Sequence, residues 1–190
     1  MLIGALCGIL MAWGAAIRTS DPRLTASAAV LTAVAALRMA MAYGLPRLKR
    51  FDKWALELFF EVGAFAYAGM CGFIAAQCIL FDTPASVQAL TVSNAIGYGA
   101  AMASRNAGRP PIALGQLVLS TGPVIIAGAI SPDLADRILA VITALLLPAM
   151  ALISKSIFQV MRASIAAAEV SARLAEKMQL LARTDRKSVV

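Results

Sequence analysis

Three ionisable residues stand inside runs that are otherwise apolar: Arg38 within ALRMAMA, and Glu57 and Glu61 within WALELFFEVGAF. Even on lenient insertion scales a charged side chain at the centre of a bilayer costs about 2.5–3.5 kcal/mol, so each of these needs a partner or a task. Arg38 lies about six residues before the end of one apolar run, and Glu61 about seven after the start of the next. At 1.5 Å rise per residue both sit roughly 10 Å deep, level enough to pair. Glu57, one turn away at i, i+4 spacing, can share the arginine. The spacing leaves three outcomes open. One is an ion pair that fixes the packing of two helices, and another is a pair of snorkelling side chains that never meet. The third is a ligand or proton site made from Arg38, Glu57 and Glu61, with the uncharged Gln77, Asn94 and Gln116 as helpers.

A second polar group is continuous in sequence. The stretch SRNAGRPP at 104–111 holds Arg105, Asn106, Gly108, Arg109 and Pro110. Asn and Gly tolerate left-handed backbone and Pro opens a helix, so the stretch reads as a tight turn. Its two arginines can bind lipid phosphate or anchor the turn at a membrane face. Nothing in the chain assembles a catalytic set. There is no histidine, P-loop, HExxH or GxSxG, and Cys7, Cys71 and Cys78 lie in apolar runs without CxxC spacing, as small buried side chains do. No catalytic residue, metal or cofactor is expected.

These residues are carried by six apolar stretches, at approximately 1–17, 24–44, 54–81, 86–104, 111–130 and 138–160. Each is near the 20 residues that cross about 30 Å of hydrocarbon as a helix. The apolar residues run on without alternating, which argues against strands. The predicted fold is therefore all-α, an integral membrane bundle of six transmembrane helices, or five if residues 1–17 are not a complete span. Gly97 with Ala101 makes a small-xxx-small pair suited to close backbone approach, and Pro123 and Pro148 are expected to bend their helices.

Composition agrees. Of 190 residues 61% are hydrophobic and 14% charged, with a mean hydropathy of +0.81, whereas a soluble domain carries about 25% charged residues. The 17 Lys and Arg against 10 Asp and Glu form no basic cluster interleaved with aromatics, so no nucleic-acid partner is expected. The surplus collects in the 45–53 and 104–110 loops and near the C-terminus, which the positive-inside rule places in the cytoplasm; Arg18 and Arg23, on the predicted outer side, are the misfit.

From residue 155 to 183 the chain has no Gly or Pro, and Met161, Ala168, Ala175 and Ala182 recur every seven residues. Ser164, Ser171 and Met178 follow three residues after the first three, and Leu174 with Leu181 marks a competing stripe. A weak, double heptad seam suits a parallel dimer whose helices shift register, while ordinary amphipathic packing is the alternative. The expected organisation is a transmembrane sensor bundle over 1–160, a cytoplasmic coupling helix over 155–185, and a disordered tail at 186–190.

The run at 181–185, Leu-Ala-Arg-Thr-Asp, resembles the lead-in to a GGDEF diguanylate cyclase domain. There the family has Ala-x-x-Asp followed by Leu-Thr-Gly-Leu, and Ala182 and Asp185 match its first part. The match breaks at Arg186-Lys187-Ser188-Val189-Val190. The multi-span part, with its RNAGRP loop, also resembles the membrane sensor regions of bacterial cyclic-di-GMP proteins, which are often followed by GGDEF and EAL domains. The resemblance implies a bacterial inner-membrane sensory module truncated at the start of its GGDEF domain, with no cyclase activity of its own. It would dimerise through residues 155–183, with itself or with an intact relative. A small transporter or channel with a site at Arg38 and Glu61 is the competing expectation.

Overall fold

The computed structural model describes residues 2–44, 53–106 and 108–188, and every regular element among them is an α-helix. Six helices follow one another: α1 (Leu2–Thr19), α2 (Pro22–Gly44), α3 (Lys53–Leu80), α4 (Ala85–Arg105), α5 (Pro110–Ile130) and α6 (Leu134–Ser188). Hydrocarbon offers no water to satisfy backbone amides, so an apolar chain of this kind closes its hydrogen bonds within helices. The basic stretch at 45–52 and the last two positions of the expected tail, 189–190, lie outside the described residues.

Side-chain size is sorted inside out. Ala12, Ala15, Ala28, Ala35, Ala68, Ala75, Ala95 and Ala113 are at most 1% exposed, while Ile3, Leu10, Ile17, Ile126, Leu145 and Leu152 are 65–78% exposed. Lipid tails solvate large aliphatic groups as well as a protein core does, so small residues take the interior, where they let backbones approach. The result is an all-α membrane bundle.

Among the described residues five helices, not the expected six, are long and apolar enough to cross a membrane; α1 is among them, and α4 falls short. By length and composition the shortfall therefore lies in α4 and not in residues 1–17. In α4, Ser86, Gln88, Thr91, Ser93 and Asn94 dilute the apolar content. That dilution has a structural setting, because α4 packs against α1, α3, α5 and α6 and its Thr91 is wholly buried.

Close backbone approach occurs, but not at the expected pair. Gly97 has open space where a Cβ would stand, and both Gly97 and Ala101 are exposed. The tight contacts belong to Gly99, which presses on Ser120 and Leu117 of α5, and above all to Gly72 of α3. A Cβ at Gly72 would stand 2.7 Å from the Leu119 carbonyl oxygen and 2.5 Å from that of Ser120. Leu119 is four residues before Pro123, which has no N–H to give it. α3 therefore comes closest to α5 where the proline leaves a carbonyl without its helical donor.

The end of α3 is closed by its own backbone. At the end of α3, Thr83 N–H donates to the Cys78 carbonyl (3.2 Å) and Asp82 N–H to that of Ile79 (3.3 Å), with Asp82 at φ 48°: a Schellman closure using aspartate where glycine is usual. Arg23, a misfit by charge bias, lies with its guanidinium 4.7 Å from the Phe81 ring centroid at this same end of the bundle. Cys71 and Cys78 are buried as expected, and Cys7 is exposed.

The last helix is one piece. α6 runs 55 residues through Pro148 to Ser188, so the sixth span and the coupling helix are continuous and the helix passes the boundary expected at 185. At 1.5 Å per residue it is about 80 Å long, far more than a bilayer needs.

Candidate functional site

At the end of the bundle where α1 begins, α2 ends, α3 begins and the α4–α5 loop turns, a cavity of about 480 Å³ opens. Its charged wall is made by Arg38, Glu61, Arg105 and Arg109, with the amides of Asn106 and Gln116 beside them. Phe60, Met102 and Ile112 supply an apolar wall, and Tyr98 joins the two. The volume falls in the range of about 300–1,000 Å³ typical of small-molecule sites.

Arg38 and Glu61 both line this cavity without pairing to each other. Arg38 Nη1 donates to Tyr98 Oη at 3.1 Å, and its guanidinium lies 5.7 Å from the Phe60 ring centroid and 5.8 Å from that of Tyr67. The carboxylates of Glu57 and Glu61 turn instead to Arg109, Glu57 in direct contact and Glu61 at 3.6 Å. The expected Arg38–Glu61 ion pair is thus replaced by a pair between α3 and the α4–α5 loop. The physical reason is azimuth: depth along a helix follows from residue count, but the direction in which a side chain leaves the axis depends on how the helix is rotated by its neighbours. Arg109, Glu57 and Glu61 side chains remain 62%, 46% and 29% exposed, so each contact is worth at most about 1 kcal/mol.

Gln116 is the most deeply set of the polar groups, at 1% exposure. Its Oε1 accepts from Asn106 Nδ2 at 2.9 Å, which ties α5 to the loop, and its Nε2 has no partner. Arg38 Nε is likewise buried without a partner. Unsatisfied buried donors are rare enough that each calls for a reason.

The two polar groups of the sequence therefore meet in one place. Of the intramembrane set, Arg38, Glu61 and Gln116 line the cavity and Glu57 stands at its rim on Arg109. Gln77 and Asn94 lie elsewhere. Gln77 accepts from Ser27 Oγ at 2.8 Å, and Asn94 stands beside Cys71 with its Nδ2 unpartnered. From the loop set, Arg105, Asn106 and Arg109 face the cavity, Pro110 opens α5, and Gly108 rests toward α6, where Met161 Cε would be 3.9 Å from an added Cβ.

That proximity matters because Met161 is the first residue of the heptad seam. A hydrogen bond ties α6 to the end of α4 nearby, with buried Ser154 donating to the Ala103 carbonyl at 3.3 Å. Beyond Phe158 the described side chains of α6 are exposed, including Met161, Ser164, Ala168, Ser171, Ala175 and Met178; Ala182 is helical, and its side chain lies outside those described. Sequence reasoning missed Phe60, Tyr98 and Ser154, because an aromatic or a serine inside an apolar run carries no signal of its own. Tyr98 was nonetheless findable, since it lies one turn after Asn94 on the helix whose polar residues keep it from reading as a span.

No family model matches this chain, and neither does any curated protein or solved structure.

Proposed function

We propose that the chain is a membrane sensory module of the cyclic-di-GMP signalling type, which receives a signal in the bundle and passes it along α6 to an output at its C-terminal end. The single observation that carries this reading is the placement of the α4–α5 loop. Through Asn106 and Arg109 it forms part of the cavity wall, and it faces α6, with Met161 Cε 3.9 Å from where a Cβ on Gly108 would stand and Ser154 bonded to Ala103 just before the exposed seam of a continuous helix begins.

The mechanism follows from the strengths of the contacts. Arg109 holds the loop to Glu57 and Glu61 through partly exposed ion pairs, weak enough for a ligand in the cavity to exchange. When Arg109 turns to the ligand, the loop shifts, and with it the end of α4 that Ser154 of α6 holds through the Ala103 carbonyl. A heptad seam of Ala, Ser and Met is shallow, so two registers of a dimer differ little in energy and a small bias selects between them. In this reading the chain itself receives and transmits, and two copies associate through residues 155–183 in a bacterial inner membrane with the loop end and the C-terminus in the cytoplasm. The cavity's position at one end of the bundle, with Arg38 only one to two turns from the last residue of α2, favours reception over transport through the middle.

The test fuses an active diguanylate cyclase catalytic domain after Asp185 and measures cyclic di-GMP in cells. Arg109→Gln should change the output by at least about threefold, the effect of moving a two-state balance by about 0.65 kcal/mol. Inserting Gly-Pro-Gly after Ser164 should make the fusion indifferent to that substitution. An output identical in all fusions would exclude signalling through α6.

A further inference from the structure

The cavity's buried atoms left without a hydrogen-bond partner are all of one kind. Gln116 Nε2 and Arg38 Nε are donors, both buried, and neither has a partner. Their side chains are already oriented, Gln116 by the Asn106 amide at 2.9 Å and Arg38 by the Tyr98 hydroxyl at 3.1 Å. Fixed donors without acceptors define what is missing, which is a group rich in acceptor oxygens.

Charge narrows the choice. Three arginines stand against Glu61 and, at the rim, Glu57, so the net charge of the cavity is positive, and the N-terminus of α5 adds to it with the same sign. The backbone at that helix end offers no donors of its own, because Pro110 and Pro111 have no N–H and the Ile112 N–H is taken by the Arg109 carbonyl at 3.0 Å. Recognition therefore falls to the side chains. A cation is repelled here, and a neutral polar molecule leaves the arginine charge unanswered.

We propose that this cavity binds a small oxyanion, a phosphate or carboxylate, with its head between Arg38 and Gln116. The proposal takes the cavity as the receptor site of the sensor described above and names the chemistry of its signal. The head occupies only part of about 480 Å³, and the rest is bounded by Phe60, Met102 and Ile112, so a short apolar body on the anion fits. The same head can arrive on a membrane amphiphile or as a soluble anion.

The experiment uses the full chain in nanodiscs of phosphatidylcholine alone and measures binding by calorimetry with three probes: hexyl phosphate, inorganic phosphate and hexanol. Hexyl phosphate should bind saturably, and Arg38→Gln and Gln116→Met should each weaken it at least about tenfold, the loss of about 1.4 kcal/mol. Arg38→Lys, which keeps the charge, should retain more affinity than Arg38→Gln, and helicity and chromatographic profile establish that each variant folds. Tighter binding of hexyl phosphate than of inorganic phosphate supports the proposal with a membrane amphiphile as the source. Equal binding supports it with a soluble anion. Absence of binding by both phosphates, hexanol binding as well as hexyl phosphate, or full affinity in both folded variants overturns it and leaves a cavity filled by water. Binding here needs no output, and the fusion assay needs no added ligand, so the failure of either reading is seen separately.

Discussion

Gly69 and Gly72 lie on one helix and should respond to alanine with opposite sign. At Gly69 nothing stands within 4 Å of an added Cβ, so Gly69→Ala gains only helix propensity, about 0.8–1 kcal/mol. Gly72→Ala gains the same propensity but puts its Cβ 2.5 Å from the Ser120 carbonyl oxygen and 2.7 Å from that of Leu119. A comfortable carbon–oxygen contact is about 3.3–3.6 Å, so α3 and α5 must part by roughly 0.8 Å. The Ser120 carbonyl, the nearer of the two, precedes Val124, whose N–H is its helical donor, so it cannot tilt away without loss of a backbone bond. Overpacking of this kind costs typically about 1–3 kcal/mol, and with the propensity gain common to both variants that is also the expected gap between them. The assay is reversible unfolding in mixed detergent micelles followed by circular dichroism. The site should feel the change as well, since α3 carries Glu61 and α5 carries Gln116. Equal stabilisation by the two substitutions would refute the close packing of α3 on the proline-freed carbonyl of α5.

Double-mutant cycles in the same unfolding assay should give a coupling of at least about 1.5 kcal/mol for Arg38 with Tyr98, as for a hydrogen bond to a charged group, and about 0.2–1 kcal/mol for Glu61 with Arg109. Arg38 with Glu61 should couple less than Arg38 with Tyr98, and the reverse order would restore the ion pair that depth alone suggests. Asp82→Gly should leave stability unchanged or raise it by up to about 1 kcal/mol, because it relieves a left-handed residue, whereas Asp82→Val should lower it; unfolding midpoints in which valine matches glycine would contradict the closure described for α3. Tyr67→Phe removes the hydroxyl that donates to the Gly4 carbonyl at 2.9 Å and should cost about 1 kcal/mol. Hydrogen exchange should then quicken across the first turns of α1, and unchanged exchange there would mean that Tyr67 does not hold that helix.

Much of the architecture is legible in the sequence because hydrocarbon imposes a simple rule: long apolar runs become helices, and charges mark their ends. Arg38, Glu61, Gln116, Arg105, Asn106 and Arg109 are all recognisable as polar residues in need of a reason. That the first three and the last three share one cavity is not legible, because it depends on the start of α3 and the end of α2 folding beneath the α4–α5 turn. The partner of Arg38 is hidden for the same cause. Its level follows from counting residues, and its facing toward Tyr98 depends on helix rotation. Gly97 with Ala101 shows the converse error, in which a real spacing pattern lies on the open face of α4 while Gly99, two residues on, makes the contact.

In the signalling mechanism proposed above, the cavity loop and the seam of α6 move as one device. Spin labels at Ser171→Cys, in a full chain whose Cys7, Cys71 and Cys78 are replaced by alanine, report the distance between two copies in nanodiscs by double electron–electron resonance. A dimer whose distance distribution shifts when Arg109→Gln releases the loop from Glu57 and Glu61 is the predicted result. The same distribution with and without Arg109, or no coupling between labels at all, would contradict it.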